Sequence, residues 1–205
     1  MNKRTVIILT GIFLLVLVSR LVFAFQIPHY SGDEAYFNLR QIEHISQNGV
    51  PIFDDPLSYG GRQQIFSPVF HYIISFFSLL SNNGLAAKIV PNVLASSLVI
   101  LAYLISKRLT KNENVSLFTA FISGFVPIFF SQTVNSISTL SLSIPLMFLL
   151  IYCFMNINKK KWLYTYLVTL AIFSFSTPIS LVFAFLKKIY EGFFSIICSA
   201  LRGLA

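Results

Sequence analysis

Ile65-Phe-Ser-Pro-Val-Phe-His-Tyr-Ile-Ile-Ser-Phe-Phe-Ser-Leu-Leu80 is an apolar run of 16 residues. It sits at the short edge of what a helix needs to cross a hydrocarbon core about 30 Å thick. How this run lies decides the topology. Upstream, the basic head Met1–Arg4 precedes the apolar run Thr5–Phe25, which is long enough to span. Downstream come Leu85–Ser106, Val115–Ser131, Leu140–Met155 and Trp162–Leu186. If Ile65–Leu80 crossed, Lys107/Arg108/Lys111 and Lys159/Lys160/Lys161 would both lie opposite Lys3/Arg4. If it lies in the membrane plane, all three clusters share the cytoplasmic side, as the positive-inside rule prefers. The reading is therefore an interfacial helix, a cytoplasmic N-terminus and one long external segment over residues 26–84.

Composition agrees with a membrane class. The 205 residues are 56% hydrophobic and only 11% charged, where a soluble domain carries about 25% charged residues; mean hydropathy is +0.76. These values exclude a single soluble domain and a disordered chain. Two cysteines, Cys153 and Cys198, both in apolar runs, exclude a disulfide-stapled module and read as small hydrophobes. The net charge of +8 reports topology rather than a nucleic-acid partner. The expected fold class is all-α: a polytopic helical protein of the cell membrane, in contact with membrane lipid, with about five to six transmembrane helices and in-plane helices in its first external loop. Residues 1–186 form the transmembrane domain and 187–205 an irregular or truncated tail. Trp162–Leu186 reads either as one outward span or as a short helix broken at Pro178, and external Lys187/Lys188 would run against the charge rule. A signal peptide competes for Thr5–Phe25, but the run is long, Arg20 interrupts it and no A-x-A-like site follows.

The acids are unevenly placed. Asp33, Glu34, Glu43, Asp54 and Asp55 make five of the seven. Ser31-Gly-Asp-Glu34 reads as a capping box and Asn48-Gly49 as a stop, bounding a helix of about four turns. Helical spacing puts Asp33, Tyr36, Phe37, Arg40, Glu43, His44 and Gln47 on one polar face and Ala35, Leu39, Ile42 and Ile45 on the other. Such a helix suits a water-accessible cavity at the membrane surface. The bland alternative stands beside it: Asp33 and Glu34 complement a helix N-terminus, and Arg40 pairs with Asp33 at the surface. Asp55-Pro56 similarly reads as an N-cap with Pro at N1, Tyr59-Gly60-Gly61-Arg62 as a turn carrying one cation, and His71 as an interface-level aromatic. No His or Cys pair has zinc-site spacing, and no GxGxxG marks a nucleotide-sugar domain.

Arg20 near the outer end of the first span, followed by Gly32-Asp33-Glu34-Ala35-Tyr36-Phe37, resembles the start of the GT-C superfamily. These are polytopic membrane glycosyltransferases that use polyprenyl-phosphate-linked sugars. Tyr36-Phe37-Asn38-Leu39-Arg40, Asp55-Pro56-Leu57-Ser58-Tyr59-Gly60-Gly61 and Ser67-Pro68-Val69-Phe70-His71-Tyr72 continue the resemblance in order, most like the oligosaccharyltransferase catalytic-subunit branch and its dolichyl-phosphate-mannose relatives. The resemblance implies sugar transfer from a polyprenyl-linked donor at the external face, with Asp33 and Glu34 catalytic. It implies a role for Asp33 either as base toward the acceptor or as ligand to Mn or Mg. Tyr36, Arg40, Asp54, Asp55, Tyr59 and Arg62 are the expected substrate-binding residues, the two guanidiniums matching phosphate geometry. It places Asp33 at a cavity within reach of Tyr36, Arg40 and the Asp54/Asp55 loop. The acceptor is left open. Two departures keep an alternative in view, a non-catalytic accessory or degenerate GT-C-like protein. The turn Ser131–Thr139 carries no acid, and Ser176-Thr177-Pro178 stands where some relatives have a lysine. Related enzymes also continue for several more spans, so the chain reads as an N-terminal portion.

Overall fold

In a computed structural model of the protein, residues 3–55, 57, 61–63 and 66–176 are described. Among them the chain is helical apart from one short ribbon: α1 Lys3–Gln26, α2 Asp33–Asn48, β1 Asp54–Asp55, β2 Arg62–Gln63, α3 Val69–Ser78, α4 Asn83–Ser96, α5 Leu98–Thr110, α6 Glu113–Gly124, α7 Pro127–Thr133, α8 Leu140–Met155 and α9 Lys160–Ser174. The strands pair antiparallel, Asp54 with Gln63 and Asp55 with Arg62. This is an all-α integral membrane fold.

Two helices are long and apolar enough to cross a bilayer on their own: α1, with 24 residues, and α4 with α5, which together run from Asn83 to Thr110 as 28 residues. A third span results if α6 and α7 count as one, bent by 45°. The bend falls where Pro127, at the start of α7, cannot supply the amide that would continue α6. The later apolar runs form helices too, but α8 has 16 residues and α9 has 15, each short of the roughly 20 that span without thinning the bilayer. Pro178, Lys187/Lys188, Cys198 and the 187–205 tail lie outside the described residues. The run that opened the topology question becomes α3, ten residues long and so only about 15 Å from end to end, too short to span.

Small and polar contacts join the helices. α1 packs on α4 and α6, its Leu9 and Val16 meeting Val99, Tyr103 and Ala120. Gly124 ends α6 against α1, where a Cβ would stand 2.4 Å from Val16 Cγ2; only a residue without one permits this approach, the small-residue contact typical of membrane helix pairs. Asn112 caps α6 by accepting from the Asn114 and Val115 amides, and Thr5 Oγ1 donates to Glu113. Arg20, buried within α1, donates from Nε to Asn92 Oδ1 at 3.2 Å and from Nη2 to Thr133 Oγ1. Its guanidinium also lies 5.4 and 5.1 Å from the Phe129 and Phe130 ring centroids. One side chain thus ties α1 to α4 and α7, its charge met by ring faces and polar groups. α8 and α9 close on Leu150, Cys153, Tyr166 and Phe173; Cys153 is buried and free, as a small hydrophobe would be.

α2 and α3 build a separate layer with the start of α4. Ala35 and Ile42, Phe70 and Ile74, Ala86 and Ala87, and Ile137 from the α7–α8 connection share one core. The acid-bearing helix is thereby held by contacts reaching over a hundred residues along the chain.

Candidate functional site

α2 starts later and from a different cap than the sequence suggests. Gly32, with φ 84°, is the N-cap residue and no side chain caps the helix, so the Ser31 capping box does not form. Ser31 is instead drawn to the α7–α8 connection: its amide donates to Asn135 O at 2.8 Å, and its hydroxyl accepts from Asn135 Nδ2 at 3.3 Å. The C-terminal stop is as expected, with the Gly49 amide donating to Ile45 O.

The buried stripe of α2 is Ala35, Asn38, Gln41, Ile42 and Ile45, so two amides sit where the sequence reading put only apolar side chains. Each has its partners. Gln41 exchanges two hydrogen bonds with the Ile52 backbone, at 3.0 and 2.8 Å, which pins the loop after α2. Asn38 Nδ2 donates to Ile137 O at 2.6 Å, and this fixes the amide so that Oδ1 faces His71 Nε2 at 2.8 Å. Since Oδ1 can only accept, Nε2 carries the proton and Nδ1 the lone pair. His71 is 1% exposed, not an interface-level ring. Burial pushes its imidazole down to about 4, although the nearby Ser67 carbonyl favours the protonated form. The ring is therefore neutral near pH 7.

Asp33 and Glu34 are both exposed at the first turn of α2, but only Glu34 lines the cavity formed with Asn38, Phe66, Ser67, His71 and Thr139, about 240 Å³ in volume. Phe37 and Phe66 form an edge-to-face pair on its wall, 5.8 Å between centroids. Tyr36 is exposed and packs edge-on against Tyr30 at 6.0 Å. Burial, with Tyr36 and Glu43 adding to it, raises the Tyr30 phenol.

Arg40 pairs with Asp55, not with Asp33. Asp55 is only 4% exposed, Arg40 32%; the second carboxylate oxygen of Asp55 accepts from the Leu57 amide at 3.0 Å. Asp55 therefore acts as a loop anchor, in a ribbon rather than at a helix N-terminus. Residue 62 is its strand partner, bringing the backbone of the second expected arginine beside this ion pair. Asp54 is exposed on the same ribbon, and Tyr59 lies outside the described residues. Two groupings result: Arg40 with Asp55 and the residue 62 backbone, and Glu34 with Asn38, Ser67, His71 and Thr139. Sequence reasoning missed Asn38, Gln41 and His71 as site-forming. The signal was present, because Asn38 continues the spacing of Ala35, Ile42 and Ile45.

Among the described residues, no group of three or more His, Cys, Asp or Glu side chains is placed to hold a metal ion. Asp55 is already neutralised by Arg40. The described side chains therefore do not make a cation site alone, and a hard cation at Asp33 would need most of its oxygen ligands from substrate and water.

The family described as dolichyl-phosphate-mannose-protein mannosyltransferase matches residues 66–196. The dolichyl-phosphooligosaccharide-protein glycotransferase 2 of Archaeoglobus fulgidus is 30% identical over 138 residues, 62% of this chain and 23% of the relative. The chain thus spans under a quarter of that protein's length. With more than half of its residues matched to one family and its helical membrane architecture, the chain belongs to the dolichyl-phosphate-mannose-protein mannosyltransferase family of the GT-C superfamily.

Proposed function

We propose that the chain is part of a membrane glycosyltransferase that takes a sugar from a polyprenyl-phosphate-linked donor and passes it to an acceptor at the external membrane face. The observation that carries this reading is the family match over residues 66–196; Glu34 at a polar cavity beside Asp33 adds a place for the chemistry. In the reaction the bond from the anomeric carbon to the donor's phosphate oxygen breaks, and polyprenyl phosphate leaves with the electron pair. The acceptor's nucleophilic atom forms the new bond, and its proton passes to a carboxylate. Asp33, exposed at the start of α2, is the base in this reading, and Glu34 orients the transferring group from the cavity wall. Arg40 first holds the Asp55 loop on α2. Arg62, singled out in the sequence as the second guanidinium, is the cation for the departing phosphate in this reading, the charge that most needs compensation.

The N-terminus of α1 is cytoplasmic in this arrangement and residues 26–84 are external. The test is sugar transfer by the protein in liposomes, from a polyprenyl-phosphate-linked sugar, with and without Mn²⁺ or Mg²⁺. Transfer dependent on the lipid donor supports the reading. Donor that stays intact under both conditions would exclude catalysis and favour the accessory role.

A further inference from the structure

The strap that joins α1 to α2, residues 27–32, is gripped by one residue of the next external turn. The Ser31 amide donates to Asn135 O at 2.8 Å. Asn135 Nδ2 in turn donates to His29 O at 2.8 Å and to Ser31 Oγ at 3.3 Å. Because a backbone carbonyl can only accept, His29 O fixes which end of the amide faces it. A single residue, through its side chain and its own carbonyl, thus holds the strap at two positions just before the acids.

The strap has little stiffness of its own where it enters α2. Gly32, the N-cap residue, has φ 84° and no side chain caps the helix; the space around its missing Cβ is open. A glycine in such a place turns freely, so the direction in which α2 leaves the strap is set from outside. Just over a turn into the helix, Asn38 Nδ2 donates to Ile137 O at 2.6 Å, two residues beyond Asn135. The α7–α8 connection therefore holds the chain both before and after Asp33 and Glu34. That connection is itself anchored in the bundle. Thr133 Oγ1 accepts from Arg20 Nη2, and Val134 O accepts from Asn92 Nδ2 at 3.1 Å; Arg20, Asn92 and Thr133 are all buried.

We propose that Asn135 is a positioning residue for Asp33: by gripping the strap at His29 and Ser31 it fixes where the first turn of α2 stands on the helix bundle. The proposal rests on the reading of Asp33 as the base. It deepens that reading by giving the turn Ser131–Thr139, which carries no acid, a part in the same site. Asn135 acts through the strap and touches no reacting atom. Misplacing a reacting group by about 1 Å can cost 10²-fold in rate, so losing the grip falls on the chemical step rather than on donor binding.

The experiment combines hydrogen exchange of the full chain in detergent micelles with kcat and KM for dolichyl-phosphate-linked mannose. In Asn135→Ala, exchange over residues 29–36 should rise about three- to tenfold, the loss of a neutral hydrogen bond, with α4 and α5 unchanged. Its kcat should fall about 10- to 100-fold while KM for the donor stays within about twofold of wild type, well short of the tenfold that 1.4 kcal/mol of binding represents. Asn135→Asp keeps the size but replaces the donor with an acceptor, so it should reproduce both effects and decides the matter if the alanine variant does not fold. Asn83→Ala, which removes an amide contact to Ser46 near the other end of α2, should change neither kcat nor exchange over residues 29–36. Exchange over residues 29–36 as slow in both Asn135 variants as in wild type overturns the proposal. So does a raised KM at unchanged kcat. A wild type that consumes no donor, with the strap still loosened in Asn135→Ala, would overturn the enzymatic reading and leave the grip of Asn135 standing. Wild-type transfer with an unmoved strap would overturn the grip alone.

Discussion

Asp33 and Glu34 are adjacent in sequence yet meet different surroundings, because successive residues on a helix point about 100° apart. Glu34 borders the cavity with Asn38 and His71, while Asp33 stays exposed outside its lining. Arg40 shows the converse: fifteen residues from Asp55 along the chain, it becomes its ion-pair partner. The pair is asymmetric in burial, with the carboxylate inside and the guanidinium partly in water. Removing the cation leaves a buried acceptor unpaired, which should cost more than a surface ion pair. Arg40→Ala should lower stability by about 1–3 kcal/mol, measured by thermal unfolding in micelles, and adding Asp55→Asn should recover part of the loss. An Arg40→Ala protein as stable as wild type would reduce the pair to a surface contact. At this scale the sequence was readable in part. Arg40 and the acids stood out as residues, but which acid Arg40 would choose depends on how the loop after α2 folds back. That is settled by Gln41 holding the Ile52 backbone, a contact with no local signature. Asn38 and His71 were legible only as spacing, since an amide on an apolar stripe is informative once its distant partner, Ile137, is known.

Helices were largely legible as elements because apolar runs of this length have few other fates. The ends were less so. The expected capping box at Ser31 gives way to a contact between Ser31 and Asn135, a tertiary competitor for the same local hydrogen bonds. The bend between α6 and α7 at Pro127 interrupts Val115–Ser131, which read as one unbroken span, whereas the short α3 lies within the 16-residue run that read as an in-plane helix. The close approach of α6 to α1 was not legible, for it depends on Gly124 meeting Val16 across the bundle. Gly124→Ala should destabilise by about 1–3 kcal/mol through overpacking, seen as a lower Tm. Val16→Ala on the same background should restore most of it by vacating the space. A Gly124→Ala protein with unchanged Tm would mean that the two helices yield without cost.

The whole molecule joins a bundle around α1, α4, α5 and α6 to a layer of α2 and α3 that carries the acids. Basic clusters and apolar runs led to a topology in which that layer is external, and the fold is compatible because α3 cannot span. Single cysteines in a Cys153→Ser/Cys198→Ser background would check the orientation. Gln47→Cys should react with a membrane-impermeant maleimide on intact cells, whereas Lys111→Cys and Lys159→Cys should react only after permeabilisation. Labelling of Lys111→Cys on intact cells would place the basic clusters on opposite sides. The family resemblance was legible because its pieces, from Gly32-Asp33-Glu34 to Ser67-Pro68, occur in order. The cavity that Glu34 shares with His71 was not, because it is assembled from α2, α3 and the α7–α8 connection. The most direct measurement of the central claim is single-turnover transfer from a polyprenyl-phosphate-linked sugar by the wild type, Asp33→Asn and Glu34→Gln, each checked for folding. Asp33→Asn should lose the chemical step by about 10²-fold or more, the scale of a general base, while Glu34→Gln should chiefly weaken binding of the sugar. An Asp33→Asn protein that transfers sugar at the wild-type rate would contradict that claim.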